Sequence, residues 1–178
     1  PLQIRTEHVP VDFEYTKGAV PTGFSIALQK AVSKGEIRLQ SIDPNTQPIL
    51  DYHYLNHPYD LERMREAVRL CAELTGGKEF LGIAERFSPS NEVLFNDDDL
   101  NHWILSNVST QHHSSGTCKM GPQADLMSVV DSSCNVHGLD SLMVVDASIM
   151  PDVVRANTNA TTIMIAEKIS DQIIQKSS

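Results

Sequence analysis

His112-His113-Ser114-Ser115-Gly116-Thr117-Cys118-Lys119-Met120-Gly121 is the stretch around which the chain is organised. It places an imidazole at the head of a run of small residues. Histidine, with an ordinary pKa of about 6.5, is the natural proton acceptor near neutrality. Serine and glycine carry little bulk and let backbone and a small molecule come close. A histidine taken alone is more often structural or exposed than catalytic, and the doublet does not change that. Two later segments do. Val144-Val145-Asp146-Ala147-Ser148-Ile149-Met150-Pro151 reads as a short apolar strand ending in a turn that carries a carboxylate. Asn157-Thr158-Asn159-Ala160-Thr161-Thr162 reads as the start of a helix.

The chemistry of each segment has a bland and a sharp reading. Asp146, after a buried strand, can accept hydrogen bonds from ribose-like hydroxyls; an ordinary turn aspartate fits as well. The first amides of a helix lack internal partners and carry partial positive charge, so a ligand that becomes anionic is stabilised there. Reduced flavin is such a ligand, with negative charge along its N1–C2=O edge. Asn157 adds an amide able to donate to or accept from a substrate oxygen. Helix capping alone would also explain Asn157, Thr158 and Asn159. Taken together the segments predict a site that removes a proton from a small molecule beside a cofactor ring.

Outward from this centre the pattern is of short strands followed by helices. Residues 1–21 read as extended, loop-rich chain. Phe24–Gln29 and Gly35–Ile42 alternate as strands do, and Ile49–Leu55 reads as a further short strand, with the turn cluster Asp43-Pro44-Asn45-Thr46-Gln47-Pro48 between the last two. Ile37, Leu39 and Ser41 share one face of their strand. Strands this close in sequence favour antiparallel pairing. Pro58 and Asp60 open a helix whose apolar positions Leu61, Met64, Val68, Cys71 and Leu74 recur at three and four residues, and Gly76 stops it. Residues 78–99 read as irregular, and the triplet Asp97-Asp98-Asp99 as a helix N-terminus rather than a cation site. Leu100, Trp103, Ile104 and Val108 follow at helical spacing. Ser128–Asp131 and Leu142–Val145 read as strands, the latter buried on both faces. Ile163, Ala166, Ile169 and Ile173 mark a last amphipathic helix.

The 178 residues fit one domain or one large piece of one. Fourteen basic against 23 acidic residues give a net charge of −9, which repels phosphate backbones and argues against nucleic-acid binding. No run of 18 apolar residues is present, so no membrane span is expected. Three cysteines, Cys71, Cys118 and Cys134, without a CxxC pair do not make a disulfide framework, and favour a reducing, cytoplasmic setting.

The three central segments together, with Ile165-Ala166-Glu167-Lys168 after them, resemble the C-terminal signature of glucose-methanol-choline (GMC) flavin oxidoreductases, nearest to choline dehydrogenase-like members. Ser33-Lys34-Gly35-Glu36-Ile37-Arg38-Leu39, Asp43-Pro44 and Asp51-Tyr52-His53-Tyr54-Leu55 resemble the beginning of that family's substrate domain, and the likeness runs over roughly residues 20–174. Val32-Ser33-Lys34-Gly35 stands where many relatives have Pro-Ser-Arg-Gly. The resemblance implies FAD as cofactor and oxidation of an alcohol to an aldehyde by hydride transfer to flavin. It makes His113 the catalytic histidine and Asn157 the second catalytic position. Asp146 and Ala147 would line the FAD ribityl and pyrophosphate region. Asn157, Thr158, Asn159 and Ala160 would lie by the flavin's pyrimidine edge.

No Gly-x-Gly-x-x-Gly occurs in the chain. The expectation is therefore a C-terminal portion of a longer flavoenzyme, inactive alone, whose partners are an N-terminal FAD-binding portion of the same protein and a small alcohol. The expected architecture is α+β: a mainly antiparallel sheet with helices packed on one side, plus a C-terminal strand and helix contributed to the FAD domain. Residues 1–128 would be substrate domain including the histidine loop, and residues 129–178 the segment given to the FAD domain. Rival readings are a hydroxynitrile lyase-type, non-redox member of the same fold, and a non-catalytic binding or packing domain. A zinc site from His112, His113, Cys118, Cys134 and His137 fits no common ligand spacing. A serine hydrolase lacks its Gly-x-Ser-x-Gly elbow.

Overall fold

A computed structural model describes residues 2–8, 22–80 and 88–177. It has α+β character, with four strands and four α-helices among those residues. The chain forms two compact units, one of residues 1–35 and 52–109, the other of residues 36–51 and 110–178.

In the first unit β1 (Leu2–His8) pairs antiparallel with β2 (Thr22–Leu28), Leu2 opposite Leu28 and Glu7 opposite Gly23. The alternation at Phe24–Gln29 thus falls in a strand. The start of the chain, expected to be extended and loop-rich, supplies the partner strand at Leu2–His8: pairing to β2 decides its conformation where its own composition does not. Residues 9–21 lie outside the described residues. Helix α1 (Pro58–Thr75) starts with Pro58 in its first turn, and the His57 ring accepts the Tyr59 N–H. It ends at Gly76, which keeps a right-handed φ of −80° and donates its N–H to the Ala72 and Glu73 carbonyls.

Residues 78–99, expected to be irregular, include α2 (Asn91–Phe95), capped by the Ser90 hydroxyl; residues 81–87 lie outside the described residues. Five residues make too short a segment to show a helical period, which is why the pattern hid it. Helix α3 (Asp97–Asn107) begins at the acidic triplet, as expected, and the Asn96 side chain accepts from the Asp98 and Asp99 amides at 2.9 and 3.2 Å. The core of this unit joins Leu55, Met64, Val68, Leu94, Leu100 and Ile104, against which Ile26 and Leu28 of β2 pack.

Asp60 is fully buried in the same unit, at 0% exposure. Its carboxylate accepts from the Val32 amide at 3.0 Å and from the Ser33 amide and hydroxyl, each at 2.7 Å, with Arg63 at 3.6 Å. Arg63 also donates to the Gln29 and Lys30 carbonyls. Burial alone would raise the carboxyl's pKa; the Ser33 and Val32 hydrogen bonds and the Arg63 charge outweigh it and hold it below the ordinary value. The sequence reading gave Asp60 only a dipole role. In the fold it pins Val32-Ser33 to α1.

In the second unit β3 (Glu36–Arg38) and β4 (Ile49–Asp51) form a short antiparallel ribbon. The longer strands expected at Gly35–Ile42 and Ile49–Leu55 shrink to three residues each. The face that Ile37 and Leu39 share is exposed, at 47% and 85%. Alternation predicts which side chains share a face, not whether anything covers it. The expected mainly antiparallel sheet is thus two separate two-stranded ladders among the described residues.

The strands expected at Ser128–Asp131 and Leu142–Val145 are likewise single bridges: Met120 to Val130, Val130 to Val136, and Asn135 to Met143. Around Met143, Val136 N–H donates to the Leu142 carbonyl and Val144 N–H to the Cys134 carbonyl, so the C-terminal strand is paired on one side over one tight hairpin. A regular strand needs a longer run of partner backbone than that hairpin gives. Val130, Cys134, Ile149 and Ile169 form the core here, with Val144, Val145 and Ile165 packed on it. Helix α4 (Asn159–Ser177) supplies Ile165 and Ile169, close to the start and period expected.

Candidate active site

The histidine loop and the Asp146 turn are laced together by backbone. Ala147–Ile149 form a single 3₁₀ turn, and Asp146 caps it through its carboxylate, which accepts the Ser148 amide at 2.7 Å and the Ser148 hydroxyl. Three successive carbonyls of this turn accept three alternate amides of the loop. Gly116 N–H donates to Ala147 at 3.3 Å, Cys118 to Ser148 at 2.9 Å, and Met120 to Ile149 at 2.9 Å. Alternate amides of an extended chain face one way, and a 3₁₀ turn leaves its last carbonyls open, so the two shapes complement each other.

Gly116 is where this contact is tightest. Its φ is +84°, and a Cβ there would sit 3.3 Å from the Met150 carbonyl oxygen. Only glycine takes both conditions without strain. The small-residue run after His113 therefore has a concrete purpose: it lets the loop lie against residues 147–150.

The two histidines part company. His112 is exposed at a left-handed φ of 61°, its amide bonded to the Thr110 hydroxyl at 3.0 Å. His113 is half-buried, and its Nδ1 lies 3.2 Å from Thr158 Oγ1. Thr158 is 7% exposed and heads α4: its carbonyl accepts the Thr162 amide and hydroxyl, both at 2.9 Å. So the structure brings His113 to the start of α4. Asn157, Asn159 and Ala160 flank Thr158 in sequence and are exposed. Asp146 and Ala147 reach the same loop through the 3₁₀ turn; Asp146 is exposed, and Ala147 is half-buried with its carbonyl engaged by Gly116 and Met150.

What sequence reasoning missed is the side-chain contact of Thr158. A hydroxyl residue just before a helix reads as a cap, and here it faces an imidazole 45 residues back. No local pattern carries that pairing. The N-terminus of α4 also differs from that of α3: no acidic residue lies in its first turn, whereas α3 has three. The amides of Asn159, Ala160 and Thr161 precede the first helical hydrogen bond, so partial positive charge collects beside the histidine. Among the described residues no three His, Cys, Asp or Glu side chains converge as metal ligands, and no helix is long and apolar enough to cross a membrane.

Residues 31–166 match the GMC oxidoreductase family. Oxygen-dependent choline dehydrogenase of Escherichia coli is 38% identical over 168 residues, covering 93% of this chain and 30% of that protein. Oxygen-dependent choline dehydrogenase 1 of Chromohalobacter salexigens is 38% identical over 172 residues, again with 93% and 30% covered. The chain therefore spans 30% of the length of these two relatives. Among solved structures, pyridoxine 4-oxidase from Mesorbium loti superposes with a TM-score of 0.76 at 30% identity, over 86% of this chain and 31% of that one. A variant of Aspergillus oryzae formate oxidase, studied for FAD modification, gives 0.79 at 28% identity, over 87% and 27%. With a family match over most of its length and a fold shared with these oxidases, the chain belongs to the GMC oxidoreductase family.

Proposed function

We propose that this chain is the substrate-side and C-terminal part of a longer FAD-dependent enzyme that oxidises a primary alcohol to an aldehyde. The reading rests on one observation above all: His113, at the head of the small-residue loop, meets Thr158, the residue just before α4, at 3.2 Å. An imidazole can take the alcohol's proton, and the positive end of a helix beside it favours the negative charge that a reduced flavin gathers. The relatives named above are dehydrogenases and oxidases, one studied for FAD modification; nothing in them favours the lyase or the non-catalytic alternative.

The residues fit FAD. The α4 start offers amides without helical partners and no carboxylate to repel an anionic ring edge. Asn157, Thr158, Asn159 and Ala160 would hold the pyrimidine edge there, and Asp146 and Ala147 the ribityl and pyrophosphate region. When bound, FAD supplies the acceptor for the alcohol's α-hydride. The chain's own part is proton and position. His113 takes the hydroxyl proton on Nε2, since Nδ1 is turned to Thr158. Asn157 orients the alcohol oxygen through its amide. The functional division at residues 128 and 129 runs inside the second compact unit. There the single-sided hairpin around Met143 and helix α4 would complete the FAD-binding portion of the whole protein.

The test uses the full-length enzyme with choline, pyridoxine and benzyl alcohol, following aldehyde formation and anaerobic loss of flavin absorbance. At least one alcohol should bleach the flavin. His113→Ala should slow that step by roughly 10²–10⁴-fold with flavin still bound. Turnover near the wild-type rate would remove His113 from the chemistry.

A further inference from the structure

The Thr158 hydroxyl has a place of its own in this site. It lies 3.2 Å from His113 Nδ1, and the residue is buried within the chain itself. Its carbonyl is occupied twice by Thr162, which fixes the backbone at the head of α4.

A hydroxyl can give or take a hydrogen bond, so two arrangements satisfy the contact. In one, Thr158 donates to a bare Nδ1 and the ring proton sits on Nε2, where it blocks proton uptake. In the other, Nδ1–H donates to Thr158 Oγ1 and the Nε2 lone pair is open. Only the second lets His113 act as a base. When Nε2 takes the proton, the cation keeps its Nδ1–H on Thr158, and the same bond becomes charge-assisted. The partner of the distal ring nitrogen sets both tautomer and ring direction.

We infer that Thr158 is the positioning residue for His113: its hydroxyl accepts Nδ1–H, fixes the reactive tautomer and aims Nε2 at the alcohol. This rests on the reading of His113 as the base. The loop backbone is held separately, by the ladder from Gly116, Cys118 and Met120 to residues 147–149. Removing the hydroxyl should therefore free the ring and leave the loop in place.

In the full-length flavoenzyme, using the fastest alcohol of the panel, Thr158→Val should lower kcat about 10- to 100-fold, the range for losing a hydrogen bond to a charged group. KM should change little, with rates compared per bound flavin. Thr158→Ser should restore most of the rate. In a His113→Ala background Thr158→Val should add no further loss. If Thr158→Val stays within about twofold of wild type while His113→Ala is slow, the positioning role is wrong and the base assignment stands. If His113→Ala keeps turnover, the base assignment falls and this inference with it. Should Thr158→Val lose flavin, Thr158→Ser and Thr158→Ala are compared on their flavin-bound fraction: a faster serine variant supports the role, and equal slow rates overturn it.

Discussion

At the scale of single residues, Gly116 and Gly138 separate two costs that a glycine can hide. Both have left-handed φ, +84° and +76°. A side chain at Gly116 would also press on the Met150 carbonyl at 3.3 Å, while nothing lies within 4 Å of one at Gly138. Gly138→Ala should cost about 1 kcal/mol of backbone strain, and Gly116→Ala about 1–2 kcal/mol or more, because contact adds to strain. Thermal unfolding of the two variants measures the difference. Asp60 supports a second expectation. Its folded pKa lies below the unfolded value, so the stabilisation it gives is complete above the unfolded pKa of about 4 and is lost as pH falls through the folded value. Acid unfolding of wild type should therefore be steeper below about pH 4 than that of Asp60→Asn. The variant should be weaker at pH 7 by about 2–4 kcal/mol, since the Val32 and Ser33 amides lose a charged acceptor. Equal acid profiles would show that Asp60 is not the group responsible.

At the scale of elements, the two helix starts contrast in what they leave unmet. Helix α3 satisfies itself: Asn96 takes two amides, and three carboxylates face its positive end. Asn96→Ala should lower stability by about 1 kcal/mol, read by denaturant unfolding. Helix α4 has no acidic first turn and sends its leading hydroxyl to His113. The longer helices were legible in the sequence because each carries a repeating apolar stripe, Leu61 to Leu74 in α1 and Ile163 to Ile173 in α4, which the five residues of α2 are too few to show. The strands were less so. Leu142–Val145 is apolar enough for a buried strand, but pairing is a property of two segments, and only Cys134–Val136 meets it among the described residues. Ile37 and Leu39 alternate correctly and remain exposed for the same reason. The family's motifs single out His113, Asp146, Ala147 and Asn157–Ala160 as a set, and of these the structure joins the histidine loop to Thr158 and to the Asp146–Ile149 turn. The amide ladder between residues 116–120 and 147–149, and the burial of Asp60, are tertiary facts without a local signal.

At the scale of the whole molecule, the net charge of −9 argues against a phosphate-backbone partner, and the chain belongs to the GMC oxidoreductase family. The chain matches 30% of the length of its choline dehydrogenase relatives, and it contains no Gly-x-Gly-x-x-Gly phosphate cradle. Helix α4 leaves Ile163, Met164, Ile173 and Ile174 about half or more exposed. The 178-residue chain alone should accordingly bind FAD at least about 100-fold more weakly than the full-length enzyme, measured by flavin fluorescence; this assigns roughly 2.7 kcal/mol or more to the absent cradle. Comparable affinities would place the phosphate site within this chain. The central claim is that His113 and Asn157 serve one reacting centre. A crystal structure of the full-length enzyme with FAD bound tests it most directly. The account predicts His113 Nε2 and the Asn157 amide on the same side of the flavin ring, both facing the space above its N5, with Thr158 still on Nδ1. His113 and Asn157 directed into separate spaces, with the flavin ring against neither, would contradict it.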